Sequence, residues 1–493
     1  MGDPERTLLH KAGVRDTDDS KKYIWKDTAC RIAAIFDSAT KTLVDAVSAD
    51  NDGLFGLVLD TTSFYAESGG QCGDIGYVEV DAENAFKVDD VVEFAGYVIH
   101  VGQVTNGSIC CGAAATAKVD YEHRKNVAPN HTMTHVLNHA LRQVMGKECN
   151  QKGSLVDAEK LRFDYSTNRS LSVEDIAAVS AECGRVIDCD LEVMTKVLEY
   201  QEATKINALR AMFGERYPKM VRVVAVGIDP EAALKAPDDE RNMKFSIELC
   251  GGTHLSRTGE AGAFVFLSDD ALSAGIRRVV CLTGFAAKRA IQDAQELSEE
   301  FKEAAALSGP ELSAKCPLLS STLDKARIGA VEKDQMRKEL AALNEQDKAY
   351  KKELGKQRKK RVVEAVGSID MDAHCGDFVV LRIDVGLDKK ALKEGIKKFH
   401  KKKGNAGTPI MLISCSPNDK NKIIIVAEAP KVAVKRGVHC GEWVQSTLPF
   451  IDGPKQWKGG KSDKKAEVQG TTMSNVAKVI EIATQWINDR CNS

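Results

Sequence analysis

Asn130 to His139 reads NHTMTHVLNH, and Glu248 to His254 reads ELCGGTH. The first stretch puts His131 and His135 four residues apart in a segment that reads as a helix. At 3.6 residues per turn, positions i and i+4 share one face, so both imidazoles can reach a single metal ion. Asn130 is a favoured N-cap residue and is expected to open that helix. The second stretch supplies a thiol, Cys250, and a third imidazole, His254, around two glycines that predict a sharp turn. An imidazole-rich set with one thiolate suits zinc, whereas calcium and magnesium take oxygen ligands. Either pair alone is as well explained by ordinary packing. The two together point to a centre of one Zn2+ per chain, held by His131, His135, Cys250 and His254. His139 lies two turns, about 12 Å, along the axis from His131 and is expected to pack or face solvent.

Working outward, residues 1–25 form a polar segment. Residues 26–120 are short apolar runs broken by turn signals, such as GLFGLVLDTTSFY and VVEFAGYVIHVGQV, and read as a β-rich, barrel-like unit. Within it Ser68-Gly69-Gly70-Gln71 would let the backbone approach a ligand or a neighbouring element closely. Residues 121–284 mix helices and strands and hold both metal motifs. There GSLV and KLRFDYS predict a hairpin, and Ser172-Val-Glu-Asp reads as a capping box. Residues 285–362 are rich in Ala, Leu, Glu and Lys. Met336, Leu340, Leu343, Tyr350 and Leu354 make a helical stripe that Asp347 breaks, and Gly309-Pro310 and Cys316-Pro317 are expected to interrupt paired helices or an antiparallel coiled coil. Residues 363–493 alternate again and predict an α/β domain with a basic helix, DKKALKEGIKKFHKKK, and a glycine and lysine loop, GPKQWKGGKSDKKAEVQG. The fold class expected is α+β multidomain: a barrel-like β unit, an α+β zinc core, a helical linker and a C-terminal α/β domain.

A chain of 493 residues with 43% apolar and 28% charged residues is long enough for several cores. No run approaches the eighteen or so apolar residues of a membrane helix, and MGDPERTLLHKAG lacks the hydrophobic centre of a signal peptide. Fourteen cysteines without regular spacing fit a reduced, cytoplasmic protein and no membrane partner. The net charge of −2 hides an asymmetry, since KKELGKQRKKR (Lys351 to Arg361) carries seven basic residues against one acid. Such a run is either a solvated helix face or the contact for a polyanion.

HTMTHVLNHALR and CGGTH, preceded by DTTSFYAESGGQ and separated by QKGSLV, resemble the editing half of alanyl-tRNA synthetases, in particular the eukaryotic enzymes. The likeness runs from about Asp18 through Thr283, continues through the helical segment, and covers the C-terminal domain more loosely. It implies an aminoacyl-tRNA deacylase that hydrolyses mischarged tRNA for alanine, chiefly seryl-tRNA and also glycyl-tRNA. No aminoacylation domain is expected in the short segment before the β unit, so a free-standing trans-editing protein is the first reading. A fragment of a synthetase, a threonyl-type editing domain and a non-catalytic tRNA-binding protein are the alternatives. By the same resemblance Thr62, Gly69, Gly70 and Gln71 are expected to bind substrate, with Thr62 on the serine hydroxyl, and Thr134 and Gln151 to form the catalytic pocket. Lys397 and Lys401 on the basic helix and Lys458 and Lys461 on the loop become the tRNA-binding candidates, salt-sensitive as phosphate contacts are. Self-association through the linker or the C-terminal domain is compatible with the pattern.

Overall fold

The computed structural model describes residues 3–211, 217–370, 377–402, 404–416, 422–451, 456–457, 463–470 and 476–491. Two compact units result, one of residues 1–306 with 315–341, the other of 307–314 with 342–493.

The first unit begins with helix α1 (Asp3–Lys11), whose Leu9 is buried against the outside of a barrel. Six strands close that barrel: β1 (Thr28–Asp37), β2 (Phe55–Leu59), β3 (Gly76–Glu79), β4 (Ala85–Phe94), β5 (Tyr97–Asn106) and β6 (Ala114–Val119). Their order is β1-β2-β5-β4-β3-β6, and β6 returns to β1 through pairs such as Cys30 with Ala115. The alternation read in the sequence becomes alternate burial. Phe86, Val88 and Val91 of β4 and Ala115, Ala117 and Val119 of β6 fill the interior.

Helix α2 (Tyr121–Met145) leaves the barrel as the axis of an α+β layer. It begins nine residues before the expected cap: the Asp120 carboxylate accepts from the His123 amide at 2.9 Å, and Asn130 sits mid-helix. Every residue from Val127 to Leu141 is buried, so Asn130 lies in the packed middle of the helix. Asn130 instead ties elements together. Its Nδ2 donates to the Asp157 carbonyl at 2.8 Å, and its Oδ1 accepts from Thr283 Oγ1 at 2.7 Å. Strands β7 (Gln151–Val156) and β8 (Leu161–Ser166) form the expected hairpin. With β13 (Phe264–Ser273) and β14 (Ile276–Thr283) they make a sheet in the order β7-β8-β14-β13. Helix α3 (Val173–Asp188) opens with the predicted box, Ser172 and Asp175 each accepting from the other's amide. A second sheet runs β9-β11-β12-β10, from β9 (Val193–Glu199), β10 (Leu209–Arg210), β11 (Met220–Val226) and β12 (Ser246–Leu249).

Barrel and core are clamped by a buried ion pair between Arg124 of α2 and Asp74. The guanidinium also donates to the Ser63 carbonyl at 2.7 Å and lies over the Trp25 and Tyr121 rings, while Asp74 accepts from the Tyr65 amide. This fixes the DTTSFY segment over the first turns of α2. Beyond the sheets run α4 (Gly284–Ala305), α5 (Gly309–Lys325) and α6 (Ala330–Gly367). Pro310 lies in the first turn of α5, where its missing amide hydrogen costs nothing. Pro317 does not interrupt α5 as expected. Burial of Leu312, Cys316, Leu319 and Leu323 along one stripe carries the helix through it. Asp347 likewise stays on the buried stripe of α6, satisfied by Ser313 and by Lys351 at 2.6 Å.

The second unit contains a five-stranded sheet in the order β15-β16-β17-β19-β18: β15 (Val379–Arg382), β16 (Ile410–Cys415), β17 (Ile423–Glu428), β18 (Gln456–Trp457) and β19 (Lys465–Gly470). Helices α7 (Lys389–Lys401), α8 (Cys440–Thr447) and α9 (Val476–Cys491) pack on it. Among the described residues, no helix is long and apolar enough to cross a membrane.

Candidate metal centre

His131 and His135 project from the buried middle of α2, and Cys250 and His254 from the loop that leaves β12. One ligand atom from each lies within 4.8 Å of the others. Cys250 Sγ is 3.4 Å from His131 Nε2 and 3.3 Å from His254 Nε2. A tetrahedron with Zn–N and Zn–S lengths has edges of about 3.3–3.8 Å, so the donor set fits such an ion. The loop reaches α2 because position 252 lacks a side chain: a Cβ on Gly252 would fall 2.0 Å from His131 Cε1.

Each imidazole is held from behind. His131 Nδ1 donates to Gln71 Oε1 at 2.6 Å, and Gln71 is fixed in turn by Thr253, whose amide donates to Oε1 and whose Oγ1 accepts from Nε2. His254 Nδ1 lies 3.2 Å from Thr132 Oγ1, and His135 Nδ1 lies 2.9 Å from Glu248 Oε2. Glu248 also meets Asn138 Nδ2 at 2.8 Å and Arg210 at 3.4 Å. His131 and His254 are thereby held at Nδ1 with Nε2 turned toward the thiol, the arrangement that orients metal-binding histidines, while His135 Nδ1 faces the Glu248 carboxylate at ion-pair distance. Burial opposes charge on Cys250, yet His131, His254 and His135 hold its thiol well below the ordinary range. Burial likewise opposes charge on His135, and Glu248 and Cys250 overcome it, raising the ring to about 10. His254 is driven down to about 3, by burial first and His131 next. A thiolate beside imidazoles is a metal ligand in waiting.

The centre forms one wall of a cavity of about 330 Å³. Thr134 and Gln151 line it. Thr134 Oγ1 donates to the Asn130 carbonyl at 2.7 Å and Gln151 Nε2 to Ser154 Oγ at 3.3 Å, which leaves each an acceptor. Of the four residues expected to bind substrate, Gly69 alone borders the cavity. Gly70 docks the turn on β7, its carbonyl accepting from the Val156 amide at 2.7 Å. Gln71 stands behind His131. Thr62 is fully buried: its hydroxyl lies 2.8 Å from His100 Nε2 and accepts from the Phe64 amide at 3.1 Å. His139 is buried away from the centre and accepts from Arg210 at 2.9 Å. Lys397 and Lys401 border a separate groove of the second unit, and Lys458 and Lys461 lie outside the described residues.

Sequence reading missed several residues. Glu248 and Thr132 stand inside the quoted motifs, and their polarity beside the ligands was the available signal. Arg222 and Tyr23 carried none. Tyr23 donates to the Gly251 carbonyl at 3.0 Å, so the segment before the barrel touches the ligand loop.

Three family models match the chain. One described as "tRNA synthetases class II (A)" covers residues 5–123, which is the N-terminal segment and the barrel. The "Threonyl and Alanyl tRNA synthetase second additional domain" covers 221–280, and the "Alanine--tRNA ligase domain" covers 287–353. The chain carries domains of the alanyl-tRNA synthetase family. The cytoplasmic alanine–tRNA ligase of Bombyx mori is 33% identical over 98% of this chain, and that of Dictyostelium discoideum is 33% identical over 99%. The chain spans about half the length of these relatives, 51% in each case. The mitochondrial alanine–tRNA ligase of Saccharomyces cerevisiae is 36% identical over 68% of this chain and 34% of its own length. In this chain the segment matched by the second additional domain supplies Cys250 and His254, while both helical histidines lie upstream of it.

Proposed function

We propose that this chain by itself hydrolyses the ester joining a mischarged amino acid, chiefly serine and also glycine, to the 3′ end of tRNA for alanine, with one zinc ion at His131, His135, Cys250 and His254. The observation that carries the reading is the convergence of three imidazoles and a thiolate on the wall of a cavity also lined by Thr134 and Gln151. Serine exceeds alanine by one hydroxyl, which a pocket built for alanine rejects only about a hundredfold, so a second, hydrolytic site is needed. Such a site cannot spare alanine by size. It must hydrogen-bond the serine hydroxyl and leave buried polar groups unpaired when alanine enters.

The free acceptors of Thr134 Oγ1 and Gln151 Oε1 are the groups offered to that hydroxyl and to the attacking water. Thr62 supports them indirectly, by fixing the start of the segment that carries Tyr65 to the cavity. His131, His135, Cys250 and His254 would hold the ion, which would supply positive charge to this wall of the cavity. Lys397 and Lys401 are the proposed tRNA contacts in the second unit. Incubating the protein with seryl-, glycyl- and alanyl-tRNA for alanine tests the reading. Release of serine and glycine with alanine spared is expected; no release, or equal release of all three, refutes it.

A further inference from the structure

Arg222 of β11 is a cation with no carboxylate partner among the described residues. Its Nη1 donates to the Cys250 carbonyl at 3.1 Å and to the Gly252 carbonyl at 2.8 Å, and the guanidinium lies 4.1 Å over the Tyr23 ring. Those contacts occupy Nη1 and one face. The N–H groups of Nε and Nη2 have no partner among the described residues, and neither has the charge a carboxylate. The more deeply buried arginines of this unit, Arg124 and Arg210, are paired with Asp74 and Glu248. Arg222 also lines the cavity of the metal centre. The anions there are committed elsewhere: Glu248 faces His135, Arg210 and Asn138, and Cys250 Sγ faces two imidazoles and the Gly252 amide.

We propose that the free edge of Arg222 takes a phosphate of the RNA 3′ end, the phosphodiester on the 5′ side of the terminal nucleoside whose ribose carries the ester. This rests on the editing reading and adds the group that seats the substrate. A partly enclosed guanidinium held flat by an aromatic ring presents the planar fork that matches phosphate oxygens, in surroundings where the contact is stronger than in water. Its place fits. Gly252 lies between Nη1 and the thiol: its carbonyl accepts from Arg222 while its amide donates to Cys250 Sγ at 3.3 Å. Ester at the centre and phosphate at Arg222 are then the two ends of one nucleotide. Arg222 acts on binding and takes no part in bond breaking.

The probe is a non-hydrolysable serine amide of 3′-amino-3′-deoxyadenosine, made with and without a 5′-phosphate, and the unaltered full chain gives the first answer. The phosphorylated form should bind about tenfold more tightly, the gain of one charge-assisted contact. Arg222→Met should bind both forms alike at the weaker affinity, Arg222→Lys should keep part of the gain, and metal content should be equal in all three proteins. No gain in the unaltered chain, or the same gain in Arg222→Met, overturns the proposal. Inorganic phosphate that competes as well as the phosphorylated probe would make this a free-phosphate site and overturn the RNA assignment. Seryl-tRNA hydrolysis in the same preparation separates the two readings: hydrolysis without a phosphate gain sinks Arg222 alone, and neither hydrolysis nor probe binding sinks both.

Discussion

Gln71 illustrates how much of the centre is decided one bond behind the ligands. Its carbonyl oxygen accepts from His131 Nδ1, which keeps the proton off Nε2, the atom that faces the thiol. Replacing Gln71 by Leu removes that acceptor at nearly constant volume and should lower metal affinity by about 10- to 100-fold. Gln71→Glu, which still accepts, should lose less; a competition titration against a chromophoric chelator reads both, and equal affinity across the three proteins would make Gln71 a packing residue. His100 permits a pH test. Burial lowers its ring to about 4, with Nδ1 donating to the Leu57 carbonyl and Nε2 accepting from Thr62. A depressed histidine contributes stability that is whole above the unfolded value near 6.5 and is lost as pH falls toward 4, because only the unfolded chain takes up the proton. Between pH 7 and pH 5 that loss amounts to about 2 kcal/mol. Urea unfolding of a His100→Gln variant should therefore be flatter over this interval than that of the parent protein, and parallel pH profiles would exonerate His100. The cluster of His131, His135, Cys250 and His254 was legible in the sequence because a shared metal ion would impose that spacing. Gln71 was singled out there for the substrate, since nothing in a sequence tells an amide facing a cavity from one facing the back of a ring.

At the scale of elements, the SGGQ turn is the joint between barrel and core. Ser68 and Gln71 exchange backbone hydrogen bonds across it, and Gly70 and Cys72 bond to Val156. Gly70 has φ +88°, and a Cβ there would lie 2.4 Å from the Ser154 carbonyl oxygen; Gly69, at φ +60°, has open space around it. Gly70→Ala should thus cost well over the about 1 kcal/mol expected of Gly69→Ala, where only backbone strain is added. Differential scanning measures both, and equal losses would mean that the turn is not pressed against β7. Elements were legible where one signal dominated: alternation for the barrel strands, the capping box for α3, the short turn for the β7–β8 hairpin. They were not legible where tertiary burial overrode local chemistry. Asn130 looks like a cap, but it lies within Val127 to Leu141, a stretch buried throughout, and the helix starts at Asp120 with Glu122, Lys125 and Asn126 exposed in its first turns. Pro317 looks like a break, but the apolar stripe of α5 outweighs one missing backbone bond.

For the molecule as a whole, the net charge of −2 says nothing about binding, and the distribution of charge does. Helix α7 buries Ala391, Leu392, Ile396 and Phe399 and turns Lys390, Lys393, Lys397 and Lys401, spaced by three or four residues, toward a groove that Lys359 and Lys465 also line. These lysines are not equivalent. Lys393 meets Glu467 at 2.8 Å and Lys465 meets Glu428 at 3.1 Å, whereas Lys397 and Lys401 have no carboxylate partner among the described residues. Paired lysines have little to gain from a phosphate, because the acid must first be given up; unpaired ones release a counterion for each phosphate they meet. If the groove takes RNA backbone, the slope of log K against log salt for tRNA should fall by about 1.4 to 1.8 in Lys397→Gln/Lys401→Gln, about 0.7 to 0.9 per contact, and by much less in Lys393→Gln/Lys465→Gln. Metal content should stay level in both double variants, and saturating tRNA should restore turnover, since neither pair touches the centre. Equal slopes in the two variants would mean that pairing does not select the contacts, and an unchanged slope in both would return the run to a solvated helix face.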